Sequence, residues 1–189
     1  MSTVLIYDND NISEADFSAG AEFEDCEFSG IDFSQISLKS VSLLTCKFVS
    51  CNLANQNLTN ASVRDCLFES CNLIGVNWCV LRRFETPQFV GSKINLSSFQ
   101  SQKLKRLVAK DCAAVDVDFS GADLTFADFS GTNLTGSNFD SANLTDADFR
   151  SSTNYLFDLR KVKMKGAKFS LPHVLALITV LGAEIDGYT

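Results

Sequence analysis

The chain has 189 residues, a net charge of −7 at pH 7 and 46% hydrophobic residues, which fits one domain with a sizeable core. This acidic balance argues against a basic nucleic-acid-binding domain, so we expect no direct contact with nucleic acid. No apolar run approaches the roughly 20 residues that a membrane helix needs, and no basic leader precedes the apolar stretch Val4–Tyr7. We therefore expect a soluble, cytoplasmic protein without membrane contact.

The charges are segregated along the chain. Residues 1–32 carry nine acidic residues and no Lys or Arg, whereas residues 33–110 carry ten basic and three acidic residues. Residues 111–149 carry eight acidic residues and no basic one, and residues 150–189 carry six basic and three acidic residues. The acidic segments could therefore offer a surface that competes with nucleic acid for a basic protein.

The first predicted element is an N-terminal cap, residues 1–16, in which Val4–Tyr7 form a short strand. The cap precedes a repetitive region. An uncovered end of stacked repeats would expose unpaired backbone groups and apolar side chains, so a cover is needed there.

A five-residue repeat occupies residues 17–169 and is clearest from Ala122 to Phe149. Its unit is a small residue, Asp or Asn, a central Leu or Phe, and two mostly polar residues. Between Phe23 and Phe149 the frame has 26 central positions, and 24 of them carry a large apolar side chain. Neither a helix nor an ordinary strand produces an apolar period of five. The repeat resembles the pentapeptide-repeat family, which implies an all-β fold, a right-handed quadrilateral β-helix.

In that fold four units make one coil of twenty residues, so central residues twenty apart are predicted to stack. Offset ring packing suits the spacing of neighbouring strands, about 4.8 Å. Single-residue slips after Phe17 and after Trp78 are expected to be local bulges, without a long loop. Ala109 leaves a gap that we expect Leu107 to fill. One side carries Phe28, Phe48, Phe68, Phe89, Ala109, Phe129, Phe149 and Phe169, and another carries Leu38, Leu58, Trp78, Phe99, Phe119 and Phe139.

The seven cysteines follow the repeat. All except Cys79 precede a central position by two, where the family places a small inward-facing side chain, and these six are Cys26, Cys46, Cys51, Cys66, Cys71 and Cys112. We expect seven free thiols, six of them packed inward as small hydrophobic groups. The chain has no Cys-x-x-Cys motif and no Cys/His cluster, so neither a metal site nor a cofactor is predicted.

Residues 170–189 are predicted to form a C-terminal helix and tail. Ser170 and Pro172 suit a helix start, and Gly182 suits its end. The helix has two apolar stripes, so it needs two covers: the last coil supplies one, and a second subunit is expected to supply the other. The predicted homodimer interface consists of Leu171, Val174, Leu175, Leu177, Ile178 and Leu181.

Over nearly its whole length the chain resembles the Qnr-type quinolone-resistance and albicidin-immunity members of the family. The similar stretches are Gly75–Trp78, Asn154–Tyr155, Ala167–Pro172 and Leu181–Gly182. The resemblance implies a C-terminal dimerisation module that joins two β-helices end to end. It also implies a DNA mimic that binds DNA gyrase or topoisomerase IV and protects the enzyme from quinolones or a peptide toxin. No enzymatic activity is predicted, because the chain has one histidine, His173, and no recognisable nucleophile–base–acid set.

The predicted partner-binding surface is the acidic segment 111–149, whose carboxylates are Asp111, Asp116, Asp118, Asp123, Asp128, Asp140, Asp146 and Asp148. Four of them, Asp118, Asp123, Asp128 and Asp148, occupy the family's Asp/Asn position, where hydrogen bonding within turns is the plainer interpretation. A continuous acidic stripe would favour DNA mimicry. Carboxylates scattered evenly around the coils would favour a scaffold with an unrelated protein partner. The basic stretch Lys103–Lys110 is interpreted as a solvated coil face, with a binding role as the alternative.

Overall fold

The computed structural model describes residues 5–186, which contain short parallel strands, three 3-10 turns and one short α-helix. The strands are β1 Leu5–Tyr7, β2 Glu22–Glu24, β3 Cys26–Ser29, β4 Ser42–Leu44, β5 Lys47–Val49, β6 Ser62–Arg64, β7 Leu67–Glu69, β8 Arg83–Glu85, β9 Gln88–Val90 and β10 Val108–Lys110. The 3-10 turns are Glu14–Phe17, Phe33–Gln35 and Trp78–Val80, and the helix α1 is Leu175–Thr179.

Every strand pairs in parallel with a strand one coil away. One sheet has the order β1-β3-β5-β7-β9-β10 and the other has the order β2-β4-β6-β8. Phe28 pairs with Phe48 and Phe48 with Phe68, so the register advances by one coil of twenty residues. After residue 110 the strands give way to single bridges with the same spacing, such as Asp118 with Asn138. The predicted right-handed quadrilateral β-helix is confirmed.

The coil has four sides, which we number along the chain by their central residues. Side 1 carries Phe23, Leu43, Val63, Phe84, Leu104, Leu124 and Leu144, and side 2 carries Phe28, Phe48, Phe68, Phe89, Ala109, Phe129 and Phe149. Side 3 carries Phe33, Leu53, Leu73, Ile94, Ala114 and Leu134, and side 4 carries Leu38, Leu58, Trp78, Phe99, Phe119 and Phe139. These central side chains are all buried and form the core.

The predicted ring ladders are present in the core. On side 2 the stacked centroids of Phe28 and Phe48 lie 4.7 Å apart, and those of Phe129 and Phe149 lie 5.1 Å apart. Phe149 in turn stacks on Phe169 at 5.2 Å. The ladder is interrupted at Ala109, and Leu107 is fully buried beside that gap, as predicted. A large buried side chain at position 107 thus accompanies the small one at position 109.

The single-residue slip after Trp78 adds no projecting loop, as predicted. The 3-10 turn Trp78–Val80 takes up the extra residue. Val63 then pairs with Phe84, and Phe68 pairs with Phe89, so each side keeps its central residues in line.

At the N-terminal end, β1 adds to the six-stranded sheet and the Tyr7 ring stacks on Phe28 at 5.3 Å. Val4, predicted to begin this strand, lies outside the described residues.

The corner after a side places its residue in the left-handed region, except where the 3-10 turns Phe33–Gln35 and Trp78–Val80 occupy the corner. Asp111, Asp116 and Asp146 have φ between 53° and 57° at such corners. Each of these carboxylates lies over the glycine one coil later, in the space that a Cβ would need there. Only glycine avoids that clash, which explains why Gly131 follows Asp111 and Gly136 follows Asp116 at an interval of one coil.

The cysteines are free thiols, and all except Cys79 are buried, as predicted. Five of the buried Sγ atoms donate hydrogen bonds to carbonyls of the preceding coil, for example Cys46 to Phe23 and Cys71 to Phe48, both at 3.4 Å. Ser92 makes the same bond from the equivalent position, to the carbonyl of Phe68 at 3.0 Å. Burial raises the pKa of the Cys112 thiol to about 11. These thiols are structural donors in the core.

The C-terminal helix is shorter than predicted and begins later. Turns occupy residues 171–174, so α1 starts without a side-chain cap instead of at Ser170, whereas Gly182, with φ of 83°, ends the helical turns as predicted. The assignment of Leu177 to a dimer interface is wrong, because its side chain is 1% exposed and belongs to the core of its own chain. Leu177 is the residue with which α1 covers the coil end.

Candidate acidic partner-binding surface

The eight carboxylates of the acidic segment 111–149 are distributed around the coil. Side 1 carries Asp123, side 2 carries Asp128 and Asp148, and side 4 carries Asp118 and Asp140. The remaining three, Asp111, Asp116 and Asp146, stand at the corners after sides 2, 3 and 1. Side 3 itself carries none within this segment. The carboxylates therefore do not form one continuous stripe.

The carboxylates at the Asp/Asn position accept hydrogen bonds within the turns, which agrees with the plainer interpretation of the sequence. The Oδ1 atoms of Asp118 and Asp128 each accept a bond from the backbone N–H two residues later, at 2.9 Å. Asp123 accepts two bonds from Thr125, one from its backbone N–H at 3.2 Å and one from its hydroxyl at 2.5 Å. These bonds fix the carboxylates in place, with one oxygen directed to the turn.

Three carboxylates are neutralised by basic residues from outside the segment. Asp148 binds the Arg150 guanidinium at 2.6 Å, and Asp140 binds the Lys161 ammonium at 2.7 Å. The Arg150 contact holds the pKa of the Asp148 carboxyl below its usual value. Asp123 lies 3.6 Å from Lys105; although burial raises its pKa, bonds from Thr125 and the charge of Lys105 bring it below the ordinary value. Sequence reading missed all three pairs.

The other five carboxylates form no ion pair with any residue between 5 and 186. They are Asp111, Asp116, Asp118, Asp128 and Asp146. The Asp111 and Asp116 side chains are exposed and stand on the same coil, at the two corners that bound side 3. This unpaired subset is the part of the segment that is available to a basic partner.

The basic stretch Lys103–Lys110 lies next to the acidic segment on the preceding coil. Lys103, Lys105 and Arg106 are exposed on side 1 and at the corner after it. The Arg106 guanidinium lies 5.5 Å from the centre of the Phe126 ring, which is half exposed at the same corner one coil later. A contact of this kind holds the guanidinium at the surface, where it stays accessible.

The C-terminal end presents an apolar surface. Leu171 is 74% exposed, Ile178 40% and Leu181 49%. Val174 and Leu175 are half-buried, and Val174 packs against the core. Three of the six residues predicted for a dimer interface are therefore open to a second molecule.

Neither a metal cluster nor a membrane helix is found in the described part of the chain. No group of three His, Cys, Asp or Glu side chains within residues 5–186 could hold a metal ion. The same residues contain no helix of the length and apolar character needed to cross a membrane.

Comparison with known families identifies the repeat. A model of the pentapeptide repeat region matches residues 21–82, and a model of eight pentapeptide repeat copies matches residues 115–153, so that together they cover more than half of the chain. The chain belongs to the pentapeptide-repeat family. No curated protein sequence matches this pentapeptide-repeat protein.

Solved structures share its fold. Two trypsin-treated variants of QnrB1, described as a plasmid-mediated fluoroquinolone resistance protein, are 19% and 18% identical in sequence, and both have a TM-score of 0.63. Each match covers 96% of this chain and 98% of QnrB1. A pentapeptide-repeat protein of the cyanobacterium Nostoc, HetL, matches 77% of this chain and 84% of its own at 14% identity, with a TM-score of 0.29. The pentapeptide-repeat protein thus has the β-helix of the Qnr type.

Proposed function

We propose that this pentapeptide-repeat protein binds a type II DNA topoisomerase, DNA gyrase or topoisomerase IV, and protects it from an inhibitor such as a quinolone or a peptide toxin. The observation that carries the proposal is the acidic segment 111–149, which has eight carboxylates and no basic residue. The shared fold with QnrB1, a fluoroquinolone resistance protein, adds support. We place the protein in the cytoplasm, where such an enzyme would meet it.

The proposed recognition is electrostatic. Successive coils place carboxylates at multiples of about 4.8 Å along the coil axis, whereas duplex DNA carries one phosphate charge per about 1.7 Å of its own axis. The five unpaired carboxylates supply the negative electrostatic potential that a basic, DNA-binding surface would meet. The ion-paired Asp123, Asp140 and Asp148 contribute less, because each already faces a cation. Attraction of this kind falls as salt screens the charges.

The proposed particle is an end-to-end homodimer. Leu171, Ile178 and Leu181 would be covered by the same residues of a second copy, with Val174 and Leu175 beside them. The acidic segments of the two copies would then lie on either side of the joint. Burial of this apolar surface supplies the driving force, so the dimer should resist salt.

A second candidate function is a scaffold that binds an unrelated protein. The distribution of the carboxylates favours it, since they occupy three sides and three corners instead of one stripe. A duplex mimic needs charge concentrated on the surface that enters the binding groove. The two candidates differ in whether a topoisomerase responds to the protein at all.

The dimer is tested by replacing both Ile178 and Leu181 with Lys. We expect a folded monomer, because both side chains point to solvent in the single chain and the coils do not depend on them. Light scattering measures the mass, and circular dichroism verifies the fold. The control is Thr179→Lys on the same helix, which should remain dimeric. A wild-type protein that is monomeric at all concentrations would refute the dimer.

Topoisomerase binding is tested in a supercoiling assay with purified gyrase and a quinolone. The wild type should restore supercoiling, and replacing the five unpaired carboxylates with Asn should raise the amount needed by about tenfold or more, equivalent to about 1.4 kcal/mol. Asn keeps the turn bonds of Asp118 and Asp128, so the coils stay intact. The matched control replaces each ion-paired carboxylate with Asn and its cation with Gln, at Asp123 and Lys105, Asp140 and Lys161, and Asp148 and Arg150, and should act nearly as the wild type does.

Two outcomes would count against these proposals. If the wild type changes neither supercoiling nor its inhibition, with gyrase or with topoisomerase IV, the topoisomerase proposal fails and the scaffold remains. If the wild type protects but the five-Asn variant protects equally well, the enzyme is bound through another surface.

A further inference from the structure

Side 1 carries two charge triplets of opposite sign. Glu22, Glu24 and Asp25 form the acidic triplet, at strand β2 and the corner that follows it. Lys103, Lys105 and Arg106 form the basic triplet, four coils further along the same side. All six side chains are exposed. The function proposed above does not use the acidic triplet, and it involves the basic triplet only through the pair of Lys105 with Asp123, 3.6 Å apart.

The two triplets have the same layout on their coils. Glu22 and Lys103 directly precede the central residue, and Glu24 and Lys105 directly follow it. Asp25 and Arg106 occupy the corner, both in the left-handed region, with φ of 53° and 63°. Each acidic residue therefore has a basic counterpart at the same position along the strand direction.

The spacing of the triplets places a symmetry centre on β6. Strand pairing runs from β2 to β4, β6 and β8, and Lys103–Lys105 continue this series on the next coil. The acidic and basic triplets therefore each lie two coils from β6, about 10 Å on either side of it. A two-fold axis that lies just outside side 1, over β6 and parallel to the strands, reverses the coil axis and keeps the strand direction.

We propose that side 1 is a self-complementary surface on which a second copy of this chain docks in antiparallel orientation. Around the axis over β6, Glu22 of each copy faces Lys103 of the other, Glu24 faces Lys105, and Asp25 faces Arg106. Such an isologous contact repeats each pair twice. On the axis Arg64 of one copy stands one position from Asp65 of the other, which offsets the proximity of the two guanidinium groups.

The chemistry of the surface fits a reversible association. The contact covers five strands of one side, which is small compared with a standard interface, so the complex belongs to the weak class. Arg106 makes no ion pair with another residue in the range 5–186, and its position over Phe126 keeps it at the corner. Charges that are exposed and oppositely arranged give an attraction that salt removes. This pairing is independent of the apolar C-terminal end and of topoisomerase binding.

The test uses two charge-reversed full-length proteins. In the first, Glu22, Glu24 and Asp25 are each replaced by Lys, so that side 1 is basic at both triplets. In the second, Lys103, Lys105 and Arg106 are each replaced by Glu, so that side 1 is acidic at both. A control replaces Lys163, Lys165 and Lys168 by Glu, which makes the same change in net charge as the second variant, beyond the reach of the proposed contact. Circular dichroism verifies that each variant folds.

Sedimentation velocity at about 20 mM and about 500 mM salt measures the association. The wild type and the control should have a larger mass at low salt than at high salt. Each reversed protein alone should lose this gain in mass, with its dissociation constant raised by about tenfold or more. An equimolar mixture of the two reversed proteins should regain it, because every facing pair is again of opposite sign.

Three results would overturn the proposal. The first is a wild type without salt-dependent association at any concentration reached. The second is a mixture of the two reversed proteins that associates no better than either one alone. The third is a wild type that does not self-associate but binds polyglutamate or a single-stranded oligonucleotide through Lys103, Lys105 and Arg106, which would assign the basic triplet to another acidic partner.

Discussion

Replacement of Phe129 with Ala is expected to lower the free energy of unfolding by about 3–5 kcal/mol. The Phe129 side chain is fully buried, and its ring stacks on Phe149 at 5.1 Å. It also makes an edge contact with Phe119 at 5.5 Å. One coil earlier the ladder already has its gap at Ala109, so the change would leave two small side chains in succession. Stacked repeats pass such a loss to neighbouring coils.

Urea unfolding followed by circular dichroism measures this loss. The matched control is Phe126→Ala, three residues away on the same coil, where the ring is 52% exposed and contacts Arg106. That change should cost far less, because little apolar surface is removed from the core. Equal losses for the two variants would show that burial in the ladder does not decide stability.

The β-helix could be predicted from the sequence because its core depends on one position in five. Central residues such as Phe28, Phe48 and Phe68 recur at the coil length, and their stacking follows from the strand register. The slip after Trp78 was also predictable, since a single extra residue is too short for a projecting loop. In each of these cases a local pattern and the family geometry specify the same structure.

The state of the carboxylates could not be read from the repeat itself. In the sequence, nothing marks Asp140 and Asp148 as ion-paired rather than unpaired carboxylates of the segment, yet in the structure each is paired with a cation. Lys161 contacts Asp140 from the next coil. The pair therefore depends on which residues stack at the C-terminal end of the repeat, where the five-residue pattern becomes irregular. Charge counted along the chain therefore overestimated the free charge of the acidic segment 111–149.

The C-terminal interface was only partly predictable for a similar reason. Leu175 and Leu177 both lie in apolar stripes of the helix, and the sequence does not specify which stripe meets the coil end. The structure selects Leu177 as the covering residue and leaves Ile178 exposed. The choice depends on where the last coil stops, and that is set by tertiary packing.

The spacing between corner Asp residues and later glycines is visible in the sequence and would have indicated which residues stack at the corners. Asp111 with Gly131 and Asp116 with Gly136 are each separated by one coil length. The structure shows that the carboxylate occupies the place of a Cβ on the next coil. In these pairs the corner carboxylate stands over a glycine one coil later, and the same relation joins Asn55 to Gly75. Asp25 shows the alternative, because Thr45 follows it one coil later and donates its hydroxyl to the Asp25 Oδ1 atom.

The gap in the side 2 ladder gives a second large expected effect. Replacement of Leu107 with Ala should cost about 2–5 kcal/mol, because a fully buried side chain is truncated next to the small Ala109. Replacement of Ala109 with Phe should by itself cost about 1–3 kcal/mol through overpacking against Leu107. In the double variant the new ring takes the volume that Leu107 vacates and joins Phe89 and Phe129 in a continuous ladder. The double variant should therefore be more stable than the sum of the two single losses allows.

A double-mutant cycle measured by urea unfolding tests this exchange of volume. We expect a coupling of about 1–3 kcal/mol in favour of the double variant, within the range seen for residues that share one space in a core. Losses that add to within about 0.5 kcal/mol would mean that Leu107 and position 109 fill separate spaces. The interruption of the ring ladder would then be an uncompensated defect, and the coil of Lys103 to Arg106 would be the weakest part of the β-helix.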